Sequence, residues 1–127
     1  MQGAEVLFYP TAIGWHPQEK ARYGEKQHNA WMTVMKGHAV ANGVYVAAAN
    51  RIGLEQYIPG TAGIQFWGSS FIAGPQGEIL AQASHDREEI LIAEVDLQLQ
   101  EDVRQNWPFF RDRRIDAFGD ITKRAIL

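Results

Sequence analysis

Val44-Tyr-Val-Ala-Ala-Ala49 is a nearly uninterrupted apolar run, and the fold is decided by how it is read. It reads as a strand, and a strand without polar alternation is usually buried on both faces inside a layered sheet. Asn42-Gly43, just before it, is a helix stop. From Gln27 to Asn42 the pattern is helical: Trp31, Val34 and Met35 fall at i, i+3, i+4, and His38 and Ala39 continue the stripe. Thr11 to Lys26 is polar and irregular, with Gly14, Pro17 and Gly24, and reads as a surface loop. Glu5-Val-Leu-Phe-Tyr9 is a short strand that Pro10 stops. Met1-Gln2-Gly3-Ala4 reads as the end of a helix and its glycine turn, which suggests a preceding part.

Downstream, Asn50 to Gly63 reads as a loop and Ile64 to Ala73 as a strand. Gly74-Pro-Gln-Gly77 turns that strand back onto Glu78 to Ala83, since it supplies both a fixed φ and a position for φ > 0. Glu89 to Val95 is a further candidate strand, and Asp96 is the N-cap of a helix reaching about Asn106. A strand–helix–strand opening followed by hairpin strands predicts an α/β fold whose helices cover one face of a mixed sheet. Nothing in the pattern says what covers the other face.

Composition narrows the function. The 127 residues are 46% hydrophobic and 21% charged, with net charge −3 and no cysteine. That length fits one domain, 1–127, with a core. The apolar content argues against disorder. The absence of cysteine excludes a disulfide scaffold, a thiolate metal site and a cysteine nucleophile within these residues. Mild acidity leaves no electrostatic footprint for nucleic acid. No apolar stretch is long enough to span a bilayer, and Met1 to Pro10 lacks the basic start of a secretory signal. The expectation is a soluble cytoplasmic protein without nucleic-acid or membrane partners.

Several groups carry chemical potential. Ser84-His85-Asp86 has triad residue types, but adjacent residues point in different directions, whereas a triad must converge in space. It reads as a polar turn. His16, His28, His38 and His85 lack metal-ligand spacing, so no metal is expected; His38 reads as a hydrogen-bonded core histidine. Glu5 reads as an exposed edge carboxylate. Asn50-Arg51 ends the central strand, where open α/β sheets bind ligands; the competing reading is a structural arginine tying a loop or a subunit contact. Arg111-Asp-Arg-Arg114, flanked by acids, reads as a salt-bridged surface or interface rather than a phosphate site. Trp107-Pro-Phe-Phe110 reads as an oligomer contact, with a core plug as the alternative.

Several segments together resemble the C-terminal half of a nitrilase-superfamily carbon–nitrogen hydrolase. They are Gly3-Ala-Glu-Val-Leu-Phe-Tyr-Pro-Thr-Ala-Ile-Gly14, Gly37-His-Ala-Val-Ala-Asn42, Ala49-Asn-Arg-Ile-Gly53, Phe66-Trp-Gly-Ser-Ser-Phe-Ile-Ala-Gly-Pro-Gln-Gly77 and Trp107-Pro-Phe-Phe-Arg-Asp-Arg-Arg-Ile-Asp116. Tyr9-Pro-Thr-Ala-Ile-Gly14 with the Arg111–Arg114 ending most resembles N-carbamoylputrescine amidohydrolases. The resemblance implies an α-β-β-α sandwich with a mixed sheet, paired between subunits, and no cofactor. It implies a Cys thiolate attacking the amide or carbamoyl carbon, a Glu as general base and acid, and a Lys offsetting oxyanion charge. The substrate it implies is a small amide or carbamoyl amine.

In the family those three residues lie upstream of the segment that matches Met1 onward. None of Glu5, Glu19, Glu25, Lys20, Lys26 or Lys36 aligns with the missing Glu and Lys. The resemblance therefore implies the C-terminal part of a hydrolase domain, inactive alone, contributing the rim of the pocket through Thr11 and Ala12, with Trp67 approaching the pocket or a subunit contact. Homo-oligomers would form through the C-terminal tail. The alternative is a non-catalytic module that assembles with full-length amidohydrolase subunits. Half a sandwich leaves an apolar sheet face and free strand edges, so a well-behaved monomer is not expected.

Overall fold

The computed structural model describes residues 2–125; Met1, Ile126 and Leu127 lie outside them. The elements are β1 (Val6–Thr11), β2 (Gly14–Trp15), α1 (Pro17–Asn42), β3 (Tyr45–Asn50), β4 (Ile52–Glu55), β5 (Ile64–Trp67), β6 (Phe71–Ala73), β7 (Ile79–Gln82), α2 (Leu97–Asn106) and a short 3-10 turn, Ile115–Ala117. Two sheets result. The larger has the order β1-β3-β6-β7, with β1 parallel to β3 and the other pairs antiparallel. The smaller, β2-β5-β4, is antiparallel throughout. The α/β architecture with a mixed sheet is the expected one.

β3 organises the core because its alternate residues Val46 and Ala48 face α1. There they meet Trp31 and Ala39 of the helix, Trp67 of β5, and Phe71 and Ala73 of β6. Leu7 and Tyr9 of β1 and Trp15 pack against the same cluster. The opposite face is less covered than the apolar run predicts. Tyr45 is buried, its hydroxyl hydrogen-bonded to the backbone of Asp96, but Phe8 stands 76% exposed and Ala49 is open too. Among the described residues, only α1 covers a sheet face. α2 instead crosses the amino ends of β1 and β3, where Gln100 donates to Glu5 O at 2.7 Å and Arg104 donates to Gly43 O and Ala4 O.

The helix ends follow their sequence signals. Gly43 adopts φ 56°, and the N–H of Val44 reaches back to Ala39 O at 3.1 Å, closing α1 with a left-handed cap that a side chain would strain. The Asp96 carboxylate accepts from the N–H groups of Gln98 and Leu99 at 2.8 and 3.0 Å, two donors that the first turn of α2 cannot otherwise satisfy. The Gly74–Gly77 turn joins β6 and β7 as predicted, with Gly77 at φ 79°.

Seven expectations are corrected. Pro10 does not stop β1, which runs to Thr11; β1 is an edge strand, where one side needs no donor. The segment read as a loop from Thr11 to Lys26 holds β2 and the first ten residues of α1. That half-turn-polar stretch lacks apolar periodicity and is held by Trp15, whose indole N–H donates to Gly24 O at 2.9 Å, and by Lys20, which donates to Gln65 at 3.0 Å. Of the helical stripe, Trp31, Met35 and Ala39 turn inward while Val34 and His38 are exposed, because α1 meets the sheet along a narrow i, i+4 line. Asn50 to Gly63 contains β4. Ile64 to Ala73 is two strands in two sheets, since Gly68 and Ser69 both take positive φ (54° and 55°) and swing the chain across. Glu89 to Val95 forms no strand: Ile90 and Ile92 are 90% and 87% exposed, and no neighbouring strand pairs with them among the described residues. Gly3 has the left-handed φ (78°) of a helix-ending glycine, but residues 2–4 contain no helical turn.

Candidate functional site

Because β1 and β3 are parallel neighbours, their carboxyl ends finish side by side, with Thr11 opposite Asn50. This is the end of an α/β sheet at which ligands are usually held. The Thr11 hydroxyl shares its single proton between Ala49 O at 3.0 Å and Asn50 Oδ1 at 3.2 Å. Ala12, the next residue, is exposed. The half-buried Asn50 carboxamide is fully engaged. Oδ1 also accepts from the Ile13 N–H at 3.0 Å, while Nδ2 donates to Ile13 O and Gly68 O, both at 3.0 Å.

Ser70 completes the junction. Its Oγ accepts from the Asn50 N–H at 2.9 Å, and its hydroxyl lies 3.3 Å from Asn50 O. Sequence reasoning did not single out Ser70; the signal was there as the polar Gly68-Ser-Ser70 interruption in an apolar run. An open groove of about 520 Å³ runs beside the junction, bordered by Asn50, Arg51, Ser70, Ser84, Arg87 and Glu89. Arg51, on its border, is paired with Glu55 at 2.6 Å and stacked 4.4 Å over Phe66. The structural reading of Arg51 therefore fits its surroundings.

Trp67 lies elsewhere. It is 1% exposed, in an aromatic cluster with Trp15, His28 and Trp31, whose ring centroids stand 5.4, 5.5 and 5.9 Å away. Ser84, His85 and Asp86 do not converge. The Ser84 N–H faces Glu89, whose pKa is held below the usual carboxylate range by the Ser84 hydroxyl and backbone, and His85 stands 3.9 Å from Asp86 in solvent. His38 is exposed and stacks on Tyr9, so it is a surface rather than a core histidine. Arg111 pairs with Asp112 and Arg114 with Asp116, while Arg113 donates to Phe110 O; this is the salt-bridged surface its composition predicts. Trp107 and Phe109 pack edge to face and remain partly open. Among the described residues no group of three His, Cys, Asp or Glu side chains could hold a metal ion, and no helix is long and apolar enough to cross a membrane.

Burial among three indoles lowers the pKa of His28 from 6.5. The unfolded chain therefore takes up a proton on His28 near pH 6.5, while the folded chain resists it to lower pH. Stability contributed in this way is intact above about pH 6.5 and declines as pH falls through the window between the two values. Urea midpoints at pH 7.5 and 5.0 should fall more in the wild type than in His28→Gln. Identical slopes in the two proteins would remove His28 as the cause.

Residues 1–105 match the family model described as carbon-nitrogen hydrolase. The N-carbamoylputrescine amidase of Arabidopsis thaliana is 49% identical over 120 residues, which are 93% of this chain and 39% of the plant protein. A citrullinase of Francisella tularensis is 40% identical over 124 residues, 98% of this chain and 42% of that protein. The crystal structure of a carbon-nitrogen hydrolase from Helicobacter pylori G27 superposes with a TM-score of 0.93 at 50% identity, covering 98% of this chain and 43% of that one. The chain thus spans about two-fifths of the length of these relatives.

Proposed function

The chain belongs to the carbon–nitrogen hydrolase family, and from that membership we propose that it supplies the pocket rim of an amidohydrolase that converts N-carbamoylputrescine and water to putrescine, ammonia and carbon dioxide. The observation that carries this reading is the 49% identity to a plant N-carbamoylputrescine amidase across nearly the whole chain. The similarity to a citrullinase supports the same chemistry, because both substrates present a carbamoyl group on an amine.

In this reading the thiolate, the general base and the oxyanion-stabilising cation are contributed from outside these 127 residues, which contain no cysteine. The share of this chain is placement. Thr11 and Ala12 border the pocket at the carboxyl end of β1. The Thr11 hydroxyl is already committed to Ala49 and Asn50 and so fixes the strand end rather than moving a proton. Trp67 reaches the rim through its backbone, whose N–H lies 3.5 Å from Ile13 O, while its ring stays in the aromatic cluster. The chain by itself is inactive.

The test pairs the intact mass of the protein from its source cells with an ammonia-release assay on N-carbamoylputrescine. A native mass well above 14.3 kDa with ammonia release is the expected outcome. A larger protein that releases no ammonia from this substrate would overturn the substrate assignment.

The missing cysteine favours one other reading, a non-catalytic module that joins complete amidohydrolase subunits through the Trp107–Phe110 tail. A native mass of 14.3 kDa and co-elution with an active amidohydrolase would establish that reading instead.

A further inference from the structure

We infer that Asn50 is the positioning residue of the proposed pocket: its carboxamide holds the Thr11–Ile13 rim in the one conformation that can seat a substrate. The inference rests on the functional reading above for what the rim does, and on geometry alone for how the rim is held. Three separate stretches of backbone meet at this side chain. They are the exit from β1 at Ile13, the end of β3 at Asn50 itself, and the crossing between the two sheets at Gly68.

The network also dictates the residue type. The Ile13 N–H can only donate, so it must face Oδ1; Ile13 O and Gly68 O can only accept, so they must face Nδ2. An aspartate of the same shape would keep the first contact and set a negative charge against two carbonyl oxygens. The crossing needs such a clamp, because Gly68 and Ser69 both take positive φ, and Ser69 is a non-glycine residue in a sparsely populated conformation. Other bonds hold the crossing from its far side: Gly68 N–H to Arg51 O at 2.9 Å and Ser69 N–H to Ser84 O at 3.0 Å. Among the described residues, only Asn50 links it to the rim through a side chain that bonds both.

A rim displaced by an ångström changes turnover far more than it changes folding, since reacting groups must be aligned to a fraction of that distance. The test therefore separates position from stability. Asn50→Asp and Asn50→Ala are made in the protein in its native full-length form, beside Asp96→Ala, which removes the distant cap of α2. Ammonia release from N-carbamoylputrescine, thermal midpoints and amide hydrogen exchange over residues 11–13 and 68 are measured for each.

The expected result is a loss of kcat/KM of roughly tenfold to a hundredfold in Asn50→Asp. Exchange at residues 13 and 68 should be about tenfold faster in Asn50→Ala or, if that variant does not fold, exchange at residue 68 should be faster in Asn50→Asp. Asp96→Ala should lower the midpoint while leaving kcat/KM within about twofold. Asn50→Asp with unchanged kcat/KM and unchanged exchange would overturn the inference. If the wild type releases no ammonia from this substrate, the functional reading fails by itself. Exchange then decides the clamp, and unchanged protection in both variants would end it.

Discussion

Trp67→Ala is expected to lower stability by about 3–5 kcal/mol, the range for removing a large aromatic side chain from a packed core. Trp67 stands where both sheets meet the helix: it belongs to β5 of the small sheet, yet it packs on Trp31 of α1 and shares a cluster with Val46, Phe71 and Ala73 of the large sheet. Its loss opens a cavity where α1, the small sheet and the large sheet meet. For a domain of this length the shift corresponds to roughly 10–20 °C in Tm. Thermal unfolding followed by near-ultraviolet circular dichroism reads it directly. Trp67→Phe keeps an apolar ring and should cost less than half as much. A loss below about 1 kcal/mol for the alanine variant would mean that the cluster is not the junction described.

The second large effect concerns a methyl group. A Cβ added to Gly14 would lie 2.2 Å from Gln65 O and 2.6 Å from Phe66 Cα, so it would meet backbone that no rotamer change can move. Gly14 pairs with Phe66 and Trp15 with Gln65, which means relief requires β2 to separate from β5 and take the Trp15 ring with it. Gly14→Ala should therefore cost at least about 2–3 kcal/mol, near the top of the range for overpacking. Gly37→Ala makes the opposite case. Gly37 lies inside α1 with nothing within 4 Å of the added atom, so the helix gains propensity without a clash. A stabilisation of about 0.5–1 kcal/mol is expected there. Urea midpoints of the two variants should move in opposite directions; a shift in the same direction would contradict the packing at one of the two positions.

How legible each part was in the sequence tracks how local its cause is. The apolar run at Val44–Ala49, the Gly43 stop, the Gly-Pro-x-Gly hairpin and the Asp96 cap were all readable, because each depends on residues within one turn of one another. The start of α1 was not. Residues 17–26 have no apolar stripe, and what holds them is an indole from β2 on Gly24 and a lysine reaching Gln65, 45 residues away. The split of Ile64–Ala73 was hidden for a similar reason: three small residues inside a hydrophobic run look like strand until the two halves are seen in different sheets. Of the candidate site, Thr11 and Ala12 are legible through family resemblance, and Asn50 as a polar strand end. Its four partners lie 18 to 39 residues away and left no trace in local pattern.

By itself the sequence determined the class of the fold, the central strand and the caps, because hydrophobic period and backbone preference act over a few residues. It also excluded a cysteine nucleophile among these residues, since composition requires no structure. Only the tertiary structure decided that the helix covers one face of the large sheet and leaves Phe8 on the other open, that Trp67 joins two sheets to one helix, and that Asn50 ties together three separate stretches of backbone. Those facts depend on contacts between distant segments. A side chain's partners are set by where whole elements pack, and that balance is struck over the entire chain.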